Sequence, residues 1–319
     1  MKKLLVWGVV LSTVLYFGTK LYIHNKVSSN VDNVLLMLSP FANVTYTGVS
    51  STMGGTLSID DLSVQVNGYR DPIRAERLSL VTPGFWHLMN LSDIGMNTVS
   101  GEMPDSLGFE IVGLESKVDS DLLRYLHKVG QEQTQTDQEA DAAATCTGKF
   151  GYSPDDLKSL GYSMLEVDLH VGYRKEAADL VVDVQTAVKD MYDMTLEMTL
   201  GGGLSPQAIA MGTYRPKLVD GRLEYIDRSL DQRTTTFCER AGLDASEVVA
   251  AKLDAFMEFG KESGIVFDEQ IVDPYKDFLD GKSTFVITAK PHEPVTMSQI
   301  GLYKPSDVPA LLNLTASAH

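Results

Sequence analysis

Histidine and cysteine are the residues of this chain most suited to catalysis or metal binding, and neither type is spaced as a known site requires. No two of the six histidines lie at metal-ligand spacing on one helix, and the sequence contains no H-E-x-x-H or C-x-x-C. It also lacks G-x-S-x-G, a Walker loop and G-x-G-x-x-G. The sequence therefore predicts no catalytic residue, no metal site and no cofactor, and it predicts that the protein is not an enzyme.

Acidic residues close together in the sequence are the remaining candidates for acid–base chemistry. Three such groups stand out: Asp60-Asp61, Asp155-Asp156, and Glu224 with Asp227. A general acid and a general base must converge in one pocket, and no spacing here shows such convergence. We therefore expect these carboxylates to be solvated.

The two cysteines, Cys146 and Cys238, are 92 positions apart, and neither has the basic surroundings of a reactive thiol. In an oxidising compartment an even number of cysteines predicts a disulfide. In a reducing compartment two free buried thiols are the alternative. The interpretation therefore depends on where the chain resides.

The N-terminal residues predict that location. Residues 4–22 carry one charge, Lys20, and as a helix they would extend about 28 Å, enough to cross a hydrocarbon core. We predict a single-pass membrane anchor within residues 1–30, with a cytoplasmic N-terminus and the rest of the chain across the membrane. A cleaved signal peptide is the alternative, although no A-x-A site follows.

The charge of the chain is strongly negative and excludes one class of partner. The formal net charge is −16, and residues 1–30 contain four lysines and no acidic residue. The remainder is therefore even more acidic than the whole chain. Nucleic-acid binding requires a basic face, so no nucleic-acid partner is expected.

The polar segment GQEQTQTDQEADAAAT divides the chain after the anchor. We predict a β-rich part at residues 31–130, a linker at 131–145 and an α+β part at 146–319. Alternating apolar residues in the last part predict an antiparallel meander. Capped helices accompany it, with Ser153 as one N-cap and Asp244 with Glu247 as a capping box. The predicted fold class is α+β: an N-terminal transmembrane helix, a curved antiparallel β-sheet, and then an antiparallel meander with several packed helices.

A repeated spacing of apolar residues occurs in the first part. Apolar residues stand at relative positions 0, 2, 5 and 7 in three segments: Leu57, Ile59, Leu62 and Val64; Ile73, Ala75, Leu78 and Leu80; and Leu107, Phe109, Val112 and Leu114. Period two predicts a strand, and the slip of one residue predicts a β-bulge that restores the same face. Aligned bulges would curve the sheet. A plain meander, or chance, is the alternative.

The segment PGFWHLMNL is the most apolar loop candidate of the first part. Phe85 and Trp86 could form a lip that touches a membrane or an apolar ligand. They could equally form a core plug at the end of a sheet.

The pattern G-x-L-x-I-x-x-L-x-V, beginning at Gly55, resembles the start of AsmA-like proteins of the Gram-negative envelope over roughly residues 1–115. That resemblance implies an inner-membrane anchor, a periplasmic curved sheet, and a link to lipid traffic and outer-membrane integrity. The chain is shorter than those proteins, and its second part is rich in helix. The second part, with LEYIDRSLDQR and FCERAG, is also similar to uncharacterised proteobacterial envelope proteins.

The predicted function is therefore that of a membrane-anchored periplasmic protein that binds a lipid or another apolar ligand. The predicted ligand face consists of Leu57, Ile59, Leu62, Val64, Leu78, Leu80, Phe85 and Trp86. An alternative is an assembly module of an envelope complex that binds a protein partner through the acidic residues 228–280. An enzyme of unknown type is a third hypothesis and would require converging titratable groups in a deep pocket.

Overall fold

A computed structural model describes residues 39–88, 104–134, 146, 152–202 and 215–319, and its twelve described strands form one sheet. The strands are β1 (Ala42–Thr45), β2 (Gly48–Ser51), β3 (Thr56–Val66), β4 (Ile73–Val81), β5 (Ser106–Lys117), β6 (Met164–Glu176), β7 (Asp179–Val188), β8 (Tyr192–Gly201), β9 (Lys217–Asp227), β10 (Thr284–Ala289), β11 (Val295–Thr296) and β12 (Leu314–Ala318).

All neighbouring strands of this 12-stranded sheet are antiparallel, in the order β1-β3-β4-β5-β6-β7-β8-β9-β10-β12. Strand β2 pairs with β3, and β11 pairs with β9. The first and second parts of the chain meet where β5 pairs with β6, from Ser106 opposite Arg174 to Lys117 opposite Met164. The sheet is therefore continuous from one part to the other.

Two of the described helices begin at the capping residues that the sequence predicts. The described helices are α1 (Asp121–Thr134), α2 (Pro154–Ser159), α3 (Leu230–Arg240), α4 (Ala245–Glu262), α5 (Glu269–Leu279) and α6 (Val308–Leu312), with a 3-10 helix at Met297–Leu302. Ser153 accepts a hydrogen bond from the amide of Asp156 and begins α2. Asp244 and Glu247 form a capping box before α4. Pro274 lies inside α5.

The slip in the apolar spacing corresponds to β-bulges aligned across neighbouring strands. We call residues that lie opposite one another across the strands a row. Between the row that contains Ile59 and the row that contains Leu62, the strands β3, β4 and β5 each have two residues, whereas β6 has one. Because β3, β4 and β5 each have the extra residue at the same place, they stay in register with one another. The extra residue shifts the register only where β5 pairs with β6. Asp61 in β3 and Gly113 in β5 have positive φ angles of 51° and 61° at this place.

The predicted N-terminal transmembrane helix is wrong as a component of this fold. In the part of the chain that the structure describes, no helix is both long enough and apolar enough to span a membrane. The 18 residues of α4 make it the longest described helix, but it is amphipathic and carries charged side chains from Glu247 to Glu262. The predicted span, residues 4–22, lies outside the described residues. The corrected fold class is a mainly antiparallel sheet with packed helices.

Candidate functional site

The predicted ligand residues of β3 and β4 lie on one face of the sheet, which we name the apolar face. Leu57 is opposite Leu80 and Ile59 is opposite Leu78, and residues directly opposite each other share a face. Beyond the bulge, Leu62 is opposite Ala75, and the following row contains Val64. The extra residue restores the phase, so both halves of β3 present apolar side chains to the same side.

This face extends well beyond the predicted residues. A single row crosses nine strands and contains apolar residues throughout: Leu57, Leu80, Phe109, Val171, Val184, Leu196, Leu223, Ile287 and Ala316. The next row contains Ile59, Leu78, Ile111, Leu169, Thr186, Met194, Tyr225, Phe285 and Ala318. Thr186 has the only side-chain hydroxyl in the two rows besides the phenol of Tyr225.

Packed elements cover the margins of the apolar face. At the β3 end, Phe85 is buried with Val49 against Leu57 and Ile59, so Phe85 is a core plug, whereas Trp86 is 75% exposed. At the β10 end, residues of α4 and α5 form a core with Phe285. A third core joins α2 to β6, β7 and the start of α3, with these buried members: Val118, Leu157, Leu160, Tyr162, Val188, Met191 and Leu230.

The centre of the apolar face is more exposed than its margins. Phe109 of β5 and Val171 of β6 lie opposite each other and are 37% and 40% exposed. Neither was among the predicted ligand residues. The alternation of apolar residues in each strand was visible in the sequence, but the pairing of β5 with β6 was not, so this central position could not be identified.

The opposite face of the sheet carries a polar network around His170. The Nδ1 atom of His170 lies 3.2 Å from Glu110 Oε1, and its Nε2 atom lies 2.6 Å from Asp183 Oδ2. A Cβ atom on Gly172 would lie 2.9 Å from Nε2, so the glycine makes room for the ring. Both ring nitrogens therefore have a carboxylate partner. The network joins β5 to β7 across β6.

A second polar cluster lies where α3 and α4 pack on the end of β9. The Nζ atom of Lys252 contacts Asp231 and lies 3.4 Å from Thr235 Oγ1. Asp227 accepts a hydrogen bond of 2.9 Å from the amide of Asp231, which stabilises the start of α3. Burial raises the pKa of Asp227. Both carboxylates and the ammonium group therefore have structural partners.

Three tyrosines surround this cluster. Burial raises the pKa of Tyr152 to about 12, although a hydrogen bond of 3.0 Å with Thr234 opposes the shift. Burial also raises the pKa of Tyr225 and of Tyr275. These phenols remain neutral at physiological pH, and the cluster provides no nucleophile paired with a base. Its members come from distant parts of the sequence, and no local motif indicated their convergence.

The predicted disulfide between Cys146 and Cys238 is confirmed. The Cα atoms are 5.6 Å apart, and both cysteines are buried against Val248 of α4. The bond ties the segment before α2 to helix α3. Among the residues that the structure describes, no group of three or more metal-ligating side chains is close enough to hold a metal ion.

A protein-family model described as "Uncharacterized protein" matches residues 185–319, which is less than half of the chain. No curated protein matches the chain. The matched residues include β8 to β12 and α3 to α6. Neither comparison links the chain to AsmA-like proteins, so that resemblance remains an expectation for residues 1–115.

Proposed function

We propose that this chain is a non-enzymatic envelope protein that binds a lipid or another apolar ligand on the apolar face, between β4 and β8. The observation that carries the proposal is the apolar row across the sheet, with Phe109 and Val171 still 37% and 40% exposed at its centre. Ligand sites in proteins are largely apolar and mostly formed before the ligand arrives.

The packing of the margins supports the same proposal. Phe85 covers the apolar face at its β3 side, and the helices α4 and α5 cover it at its β10 side. Adjacent strands are about 4.8 Å apart, so the interval from β4 to β8 spans roughly 19 Å. Covering this apolar surface with a ligand would contribute about 25 cal/mol for each Å² removed from water. If the ligand is a lipid, its polar head group would lie beyond the apolar rows of the sheet.

The disulfide supports a location in an oxidising compartment, because buried disulfides of this kind persist outside the reducing cytosol. We propose the periplasm as that compartment and support of envelope integrity as the role. The resemblance of residues 1–115 to AsmA-like proteins implies a role of the same kind.

Substitution of Phe109 tests the proposed site. We expect native mass spectrometry of the full chain, extracted in mild detergent, to detect a co-purified apolar ligand. Phe109→Glu should abolish that signal, because a carboxylate would be buried beside the ligand without a partner. Val112→Glu is the matched control: Val112 lies on the opposite face of the same strand and is 39% exposed.

Two outcomes would contradict the proposal. One is a wild-type protein that carries no apolar ligand from cells or from added lipid. The other is a Phe109→Glu variant that retains ligand as well as Val112→Glu does. Circular dichroism of both variants should match the wild-type spectrum, which excludes loss of the fold as the cause.

A further inference from the structure

Three exposed apolar side chains lie at the end of the sheet where β1 begins. Phe41 is 70% exposed, Tyr125 is 51% exposed and Leu126 is 52% exposed. The amide of Asn67 donates a hydrogen bond of 2.9 Å to the carbonyl of Phe41. Two residues further on, the ring of Tyr69 lies 5.8 Å from the ring of Tyr125. The turn after β3 therefore brings Phe41 and helix α1 to the same end of the molecule.

Helix α1 presents an apolar stripe at this end. Leu122, Tyr125, Leu126 and Val129 follow the spacing i, i+3, i+4 and i+7, which places them on one side of the helix. Leu122 and Val129 are half-buried, whereas Tyr125 and Leu126 are exposed. The fold of the described residues therefore covers this stripe only in part.

Basic side chains flank the stripe, although the chain as a whole has a formal net charge of −16. Arg70 and Lys128 are exposed. Lys117 lies 2.7 Å from Asp71, and the lysine side chain is 57% exposed. An ion pair this exposed contributes little to stability, so Lys117 can exchange its partner for another anion. Arg124 lies about 150° around α1 from the stripe and is 3.4 Å from Asp155, so it is not part of this surface.

We propose that this surface, defined by Phe41, Arg70, Tyr125, Leu126 and Lys128, docks on an anionic lipid bilayer. Aromatic side chains with a polar end favour the boundary between water and hydrocarbon, and long basic side chains reach lipid phosphates from there. A partly buried amphipathic helix suits shallow insertion. A stable protein partner would need about 800 Å² on each side, more than three side chains on a turn and a helix provide.

This docking surface is separate from the apolar face and does not depend on the proposed ligand. Photo-crosslinking of the full chain in vesicles of phosphatidylglycerol and phosphatidylethanolamine tests it directly. A photoreactive phenylalanine analogue is placed at Phe41, at Tyr125 or at Trp86. Trp86 is the matched control, because it is 75% exposed but lies near the opposite end of β3, roughly 33 Å away along the strand.

We expect lipid adducts at Phe41 and Tyr125 and none at Trp86. Lys128→Glu should reduce the adduct yield severalfold at low salt, since one basic residue near an anionic surface changes binding about fivefold. Higher salt should reduce the wild-type yield as well. Adducts with a protein or with a second copy of the chain at Phe41 and Tyr125, no adduct at either, or equal lipid adducts at Trp86 would each overturn the proposal.

Discussion

Lys252 is a buried cation in the middle of α4, and its side chain is 10% exposed. Its ammonium group contacts Asp231, whose side chain is 26% exposed, so the pair joins α4 to the first turn of α3. A buried charge is costly without a partner, and the contact satisfies both groups. The pair therefore fixes how the two helices pack without being evidence of a reaction.

Truncation of Lys252 should destabilise the fold strongly. We expect Lys252→Ala to reduce the free energy of unfolding by about 3 kcal/mol, because Asp231 would keep a partly buried charge without its cation. Urea denaturation measures the change. Lys261→Ala in the same helix is the control: its pair with Glu258 is 59% and 62% exposed and should contribute less than about 1 kcal/mol. Equal losses in the two variants would contradict this account.

At the level of elements, the aligned bulges depend on Gly113. Its φ angle is 61°, and a Cβ atom there would lie 2.6 Å from Cγ of Glu76 in the neighbouring strand. The amide of Gly113 also donates a hydrogen bond of 2.7 Å to Asp168, the single residue of β6 opposite the bulge. The glycine thus permits both the backbone conformation and the close approach of Glu76.

Gly113→Ala should therefore lower stability by about 2–3 kcal/mol, from left-handed strain together with overpacking. Gly68→Ala is the control, because Gly68 has a φ angle of 91° but no atom within 4 Å of the added Cβ. It should show only the strain, about 1 kcal/mol. Thermal unfolding followed by circular dichroism compares the two. A Gly113→Ala variant no less stable than Gly68→Ala would show that the contact with Glu76 is unimportant.

Local sequence patterns predicted these elements well because alternation and capping act over a few residues. The spacing around Leu62 indicated the bulge in β3, and Asp244 with Glu247 indicated the start of α4. In β5 the spacing predicted a slip between Phe109 and Val112, which would place Val112 on the apolar face, and this was wrong. The slip lies between Ile111 and Leu114, so Ile111 is on the apolar face and Val112 is on the opposite one. Which strands pair is a long-range property, so the central exposed positions of the apolar face could not be predicted.

For the whole molecule, the pairing of β5 with β6 is the decisive feature, since it joins strands on either side of the predicted linker at residues 131–145. The two strands pair over nearly their entire lengths, interrupted only at the bulge. Strand β6 then continues into β7 and β8 through equally long pairings. A sheet held together in this way has no weak junction between its first and second parts.

We therefore expect the sheet to unfold in one cooperative transition. Hydrogen exchange of the full chain, measured across a urea series, should give the same midpoint for peptides from β3 and from β9. Removing the disulfide with Cys146→Ala and Cys238→Ala should lower both urea midpoints together. The corresponding loss in the free energy of unfolding should be at most about 5 kcal/mol for a loop of this length. The pairing of β5 with β6 should make the two parts unfold together. Separate midpoints for β3 and β9 would contradict this and show that the two parts are independent domains.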